Sequence, residues 1–237
     1  MEPVAHIDRL RADSATLLAA QRAEPTAPAW PGTGWDRTEL LAHVANVHGW
    51  VRAQMHLGSG ERILFSTVER APGGDELSEW FERSAAELVD LLGSMDVGAT
   101  WPTWAGPQPG TFFARRMAQE TSIHRWDAVE GAIDAELAVD GIDELLELFA
   151  PRIPVERLTT ASGSIHLHAT DVEGEWLVRL GAEGITFERG HAKGDVALRG
   201  QAADLLLWTW NRVPVDERFE VHGDPAPLDT WRTTVTF

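Results

Sequence analysis

Residues 117–132, MAQETSIHRWDAVEGA, set Glu120, His124 and Asp127 at intervals of four and three. At about 100° per residue a helix puts these three side chains on one face, with Phe113, Met117, Ala128 and Gly131. Arg115, Gln119, Ser122 and Arg125 face the other way. An acid, an imidazole and a second acid therefore interrupt a stripe that should be apolar. Burying a carboxylate costs several kcal/mol unless it is paired or bound to a cation. The spacing leaves two readings open: a structural Glu–His or Asp–His pair, and a metal site.

A second segment, LLAHVANVH (residues 40–48), supplies His43 and His48. Two imidazoles and a carboxylate on facing helices suit a divalent metal, zinc first, with bonds of about 2.0–2.2 Å. Three protein ligands leave a coordination position open, which marks a reactive site. Leu40, Val44, Val47 and Val51 define the core stripe of this segment, and the two histidines flank it on opposite edges. Periodicity therefore does not choose between them.

These helices sit in a chain of 237 residues with 43% hydrophobic residues and 11 Trp, enough for two small cores. The formal charge of −17 argues against nucleic acid or an anionic membrane as partner, since both need clustered Arg and Lys. Cysteine is absent. Disulfides, thiolate metal sites and a cysteine nucleophile are excluded, and any thiol chemistry must use a thiol from outside. No apolar run approaches the ~20 residues of a membrane span, and MEPVAHIDRLRAD does not read as a signal peptide. The expected location is the cytoplasm.

A helical pattern runs from about Val4 to Ala23 through Ile7, Leu10, Leu17 and Leu18. EPTAPAWPGTGW breaks it, and Asp36 with Glu39 has the form of a capping box opening residues 36–55. DELSEWFERSAAELVDLLGSM is a third helix, WPTWAGPQPG a breaker, the 117–132 stretch a fourth helix and GIDELLELFA a shorter fifth. Residues 1–150 thus read as an antiparallel four-helix bundle with an added helix. Residues 151–237 read as a small α+β domain with an antiparallel sheet. Its strands are SGSIHLHATD, EWLVRLG, GITFERG, DVALRG and RFEVHGD; QAADLLLWTWNRV and PLDTWRTTV are helices. His166 and His168 share one strand face and, without a third ligand in view, read as plain strand histidines. Trp50, Trp101, Trp104, Trp208 and Trp210 are candidates for a pocket lining.

GWDRTELLAHVANV, followed far downstream by QETSIHRWDAVEGA, resembles the mycothiol-dependent maleylpyruvate isomerase family, whose N-terminal domain is DinB-like. The second half is similar to that family's sterol-carrier-like C-terminal domain. By position, the resemblance implies His43, Glu120 and His124 as ligands of a divalent metal, usually zinc, with Asp127 orienting His124 from behind. It also implies Arg212, at the end of GQAADLLLWTWNRV, as the residue that acts in catalysis or holds an anionic substrate.

The implied activity is activation of a small-molecule thiol, mycothiol, for addition to a small, anionic electrophile. The thiolate adds to a cis double bond conjugated with a carbonyl, the adduct rotates about the new single bond, and expulsion of the thiol leaves the trans product. Without expulsion the same site is an S-transferase. Two other classes stand beside this one: a non-catalytic, metal-containing protein that binds an apolar ligand, and a metal-dependent hydrolase, which lacks a separate well-placed base. A monomer or small homo-oligomer is expected.

Overall fold

A computed structural model of the chain describes residues 1–58, 60–96 and 98–236, which divide into two compact units, Met1–Ala132 and Ile133–Phe237. The first unit is built from α1 (Pro3–Ala23), α2 (Arg37–Leu57), α3 (Glu76–Gly93) and α4 (Gly110–Val129), with a hairpin of β1 (Thr100–Thr103) and β2 (Gly106–Pro109) before α4. α1 packs on α3 and α4, and α2 packs on the same two helices. Leu17, Leu40, Leu41, Val44, Leu77 and Phe81 fill the shared core. The capping box is present: Asp36 accepts from the Glu39 amide at 2.9 Å, and Glu39 accepts from the Asp36 amide at 3.0 Å. It fixes where α2 starts, and so which way His43 faces.

One expectation about the fourth helix is corrected. It ends at Val129, where Glu130 (φ 49°) and Gly131 (φ 99°) leave the helical region, so Gly131 is not part of the stripe. The reverse face is packed as well. Arg125 is buried and donates to Asp13 of α1 at 3.2 Å and to the carbonyls of Glu130 and Ala132 at 2.9 and 2.8 Å. Gln119 and Ser122 are buried as well. α4 is the inner helix of the bundle, and Arg125 is kept inside by partners that replace water. The proline-rich WPTWAGPQPG, read as a breaker, forms the β1–β2 hairpin, where a two-stranded ribbon tolerates proline on its free edges.

The second unit contains α5 (Ala135–Glu144), continued by wider and tighter turns to Arg152, then β3 (Gly163–Ala169), β4 (Glu175–Gly181), β5 (Gly184–Arg189), β6 (Val196–Gly200), α6 (Ala202–Thr209), β7 (Glu220–Gly223) and α7 (Ala226–Thr234). The strand order is β5-β4-β3-β6-β7. Neighbours are antiparallel except β3 and β6, which pair parallel with Ile165 beside Val196, so the sheet is mixed and not purely antiparallel. The α+β character holds. α5 packs on α6, and Trp176 of β4 donates to its Asp143 at 2.8 Å, so the segment 135–150 goes with the second unit and not with the first. Its amphipathic pattern identifies a helix but not which core receives its apolar face. Trp101 and Trp208 are core residues: Trp101 meets Phe113 edge-on, and Trp208 stacks on Trp231. No described helix is long and apolar enough to cross a membrane.

Candidate metal centre

Glu120 and His124 lie one turn apart on α4, and α2 brings His43 to them. Glu120 Oε1 is 3.2 Å from His43 Nε2 and 3.3 Å from His124 Nε2. The two imidazoles meet edge-on with centroids 4.9 Å apart. His124 Nδ1 lies 2.9 Å from Asp127 Oδ2, whose side chain is 0% exposed. Asp127 accepts from Nδ1, so it is Nε2, facing Glu120 and His43, that carries the lone pair once the ring is neutral. Glu120 is held from its other side, where Oε2 accepts from Arg116 Nη2 at 2.6 Å. The 17% exposed Glu120 and 11% exposed His124 lie deeper than His43, at 33%, so the cluster opens along the flank of His43. Trp35 lies beside that flank, 5.1 Å from the His43 ring.

The electrostatics follow from burial and charge. Burial alone would raise the Glu120 pKa, but His124, the hydrogen bond from His43 and the Arg116 guanidinium pull it well below the usual carboxylate range. Burial would also strip the proton from His124; Glu120 and Asp127 outweigh it and raise the imidazole to about 9. Without a cation, the extra proton on His124 and the Arg116 guanidinium together balance the two acids. A divalent ion would take that proton's place.

The donor set fits such an ion. The three ligand atoms lie within 4.8 Å of one another. Tetrahedral bonds of about 2.0–2.2 Å require ligand atoms roughly 3.3–3.6 Å apart, close to the separations from Glu120. Two nitrogens and one oxygen suit a borderline divalent metal, and His43 is the member of the set most exposed to solvent.

His48 is elsewhere. It is buried, its Nε2 lies 2.9 Å from Thr121 Oγ1, and its ring stacks on Phe81 at 5.6 Å. Burial lowers its pKa to about 4 and keeps it neutral. Geometry thus brings His43, and not His48, to Glu120 and His124. Arg212 belongs to the second unit and lies beyond α6, not within it. Asn211 (φ 59°) turns the chain, and the Arg212 amide returns to the Leu207 carbonyl at 2.8 Å, the six-to-one bond of a Schellman motif. Arg212 Nη1 donates to the Trp210 carbonyl at 3.1 Å.

Sequence reasoning missed Arg116, although its i,i+4 spacing to Glu120 signals a helical ion pair. It also missed that the strand histidines have partners, Glu175 and His191. Chain-local spacing gives no sign of those, because strand register supplies one and a loop crossing supplies the other.

Residues 7–129 match the family model described as the mycothiol maleylpyruvate isomerase N-terminal domain, and residues 136–230 match the MDMPI C-terminal domain. Among solved structures, the chain is similar to a mycothiol-dependent maleylpyruvate isomerase at 16% identity and a TM-score of 0.55, covering 93% of each chain. A histidine-to-alanine mutant of a mycothiol-dependent maleylpyruvate isomerase gives 18% identity and a TM-score of 0.57 over 90% of each chain. At these identities the likeness is one of fold. A search of curated proteins returned no match.

Proposed function

Since the chain belongs to the mycothiol maleylpyruvate isomerase family, we propose that it is a metal-dependent enzyme using a small-molecule thiol, either a cis–trans isomerase or a thiol S-transferase. The observation that carries this reading is the convergence of His43, Glu120 and His124 on one point, with Asp127 and Arg116 bracing them from behind. Zinc is the first choice for the ion. Bound there, a dication supplies the charge that keeps an incoming thiol ionised at neutral pH.

The chain's own residues prepare the site. Asp127 holds the Nδ1 proton of His124, so that Nε2 stays a lone-pair donor. Arg116 occupies Oε2 of Glu120, which leaves Oε1 for the metal. The exposed flank of His43 is the way in, and the Trp35 ring lies beside it. The chain has no cysteine, so the thiol is a cosubstrate; mycothiol is the one named by the relatives. Arg212 is proposed to pair with an anionic group of the substrate through its planar fork. The activity is placed in the cytoplasm, where thiols are kept reduced.

The test is turnover of a cis-unsaturated keto acid such as maleylpyruvate by zinc-loaded protein, with and without mycothiol. Conversion that requires both is expected. Equal conversion without thiol would overturn the reading. Tight binding of an apolar ligand, with no thiol-dependent turnover of any electrophile offered, would favour the carrier alternative.

A further inference from the structure

We infer that the second unit carries its own divalent metal site, formed by His166 and His168 of β3, Glu175 of β4 and His191 of the segment after β5. The proposal is independent of the bundle centre. His166 and His168 stand two apart on β3 and share a face. Glu175 is the antiparallel partner of His168, which puts its carboxylate on that same face. Glu175 Oε2 is 2.9 Å from His166 Nε2 and 2.7 Å from His191 Nδ1, and Oε1 is 3.4 Å from His168 Nδ1. One potential ligand atom from each residue lies within 4.8 Å of all the others. The His166 ring meets those of His191 and His168 edge-on, at 5.1 and 5.9 Å.

Three imidazoles converging on one carboxylate form a four-membered donor set, and its spacings approach the roughly 3.3–3.6 Å edges of a zinc tetrahedron. A borderline ion such as zinc, cobalt(II) or nickel(II) suits three nitrogens and one oxygen better than calcium or magnesium, which take oxygen. A cavity of about 460 Å³ lies against the cluster, lined by His168, Glu175 and His191 together with Glu173 and Arg189. Arg189 does not spoil the field for a cation. Asp143 pairs with its guanidinium at two 2.8 Å contacts, and the Trp176 ring lies under it at 5.2 Å.

The topology says what the ion does. β5 and β6 run the same way with β4 and β3 between them, so residues 190–195 must cross the sheet. Crossovers between parallel strands usually take about a dozen residues or more, commonly with a helix to pack down. This one has neither. Gly190 adopts φ 123°, open to glycine and strained for other residues, and it delivers His191 onto Glu175. The far end is tied by Asp195 to Ser164, with its carboxylate accepting from the amide and hydroxyl at 2.8 Å each. Between these ends Lys193 is exposed. The metal fastens the crossing segment to β3 and β4.

The experiment is zinc uptake by the full chain after stripping and equilibrium dialysis, repeated with cobalt(II) and its visible spectrum. Wild type should hold two equivalents. His191→Ala and Glu175→Gln should each hold one, with affinity at the altered site lowered at least about tenfold. Zinc should raise the melting temperature of Glu120→Gln, and should fail to do so once His191→Ala is added. His191 has a side chain 78% exposed, so its removal does not disturb packing, and circular dichroism checks that the variant is folded. Zinc content in His191→Ala and Glu175→Gln equal to wild type would overturn the proposal. So would a second equivalent that appears only at millimolar zinc.

Discussion

The bundle cluster and the sheet cluster use the same residue types, but they are braced differently. In the bundle, each candidate ligand on α4 has a support behind it: Asp127 fixes the ring of His124, and Arg116 fixes one oxygen of Glu120. Both supports are buried charges, expensive to keep unless the geometry they enforce is used. In the sheet, three histidines lean directly on Glu175, and one of them, His191, comes from an exposed crossing segment. Helices place ligands rigidly and leave one side open, as a reacting site requires. A loop-borne ligand placed over two strands makes a clasp.

The largest effect expected from this contrast comes from the bundle carboxylate. Glu120→Gln keeps shape but loses charge, and should lower kcat/KM more than about a hundredfold, because it removes a ligand and not merely a support. Steady-state assays with zinc and mycothiol in excess check this. Activity near wild type would erase the distinction between the two clusters. Next comes the brace. Asp127→Asn should weaken zinc binding by about 10- to 100-fold, read by competition with a chromogenic chelator, while the sheet site keeps its ion. Equal loss at both sites would point to general unfolding.

Arg212 tests the second unit from another side. Arg212→Ala should cost roughly ten- to a hundredfold in kcat/KM, the worth of a charge-assisted hydrogen bond of ~1.5–3 kcal/mol. Arg212→Lys should remain impaired, since it loses the planar fork. Metal content should not change in either variant. Normal kinetics would remove Arg212 from the catalytic account.

The effects furthest from turnover are shifts of stability with pH, and they run in opposite directions. His124 in the metal-free protein is raised to about 9 from an ordinary 6.5. Its contribution is complete below pH 6.5 and is lost as pH rises through 9, so the stripped protein should melt progressively lower over that range. Protons compete with zinc at the same nitrogen, so zinc affinity should fall as the pH is lowered. His48 is lowered to about 4. The unfolded chain then binds the extra proton, and stability should fall between pH 6.5 and 4 by about 3 kcal/mol. His48→Gln should flatten that acid limb and leave zinc content unchanged. A loss of zinc in this variant would contradict the placement of His48 against Phe81.

Helical periodicity makes Glu120, His124 and Asp127 legible, because residues three and four apart must share a face. It cannot separate His43 from His48, which lie on opposite edges of the α2 stripe; that depends on which neighbour each edge meets. The α+β half is legible from alternating strands and glycines. The parallel β3–β6 pair is not, because strand direction is set by how the chain crosses the sheet. The same holds for Glu175 and His191, which become partners of His166 through register and crossover. The placement of α5 was hidden for a related reason: an apolar face does not name the core that receives it.

The central claim is that occupancy of the His43–Glu120–His124 centre governs thiol-dependent turnover. Its most direct test is a zinc titration of the stripped protein, with mycothiol-dependent conversion of a cis-unsaturated keto acid followed at each step. The account predicts that activity rises in proportion to occupancy of one site and saturates there, and that Glu120→Gln stays inactive at every zinc level. Full turnover by the stripped protein, or a rise in activity that Glu120→Gln reproduces, would contradict it.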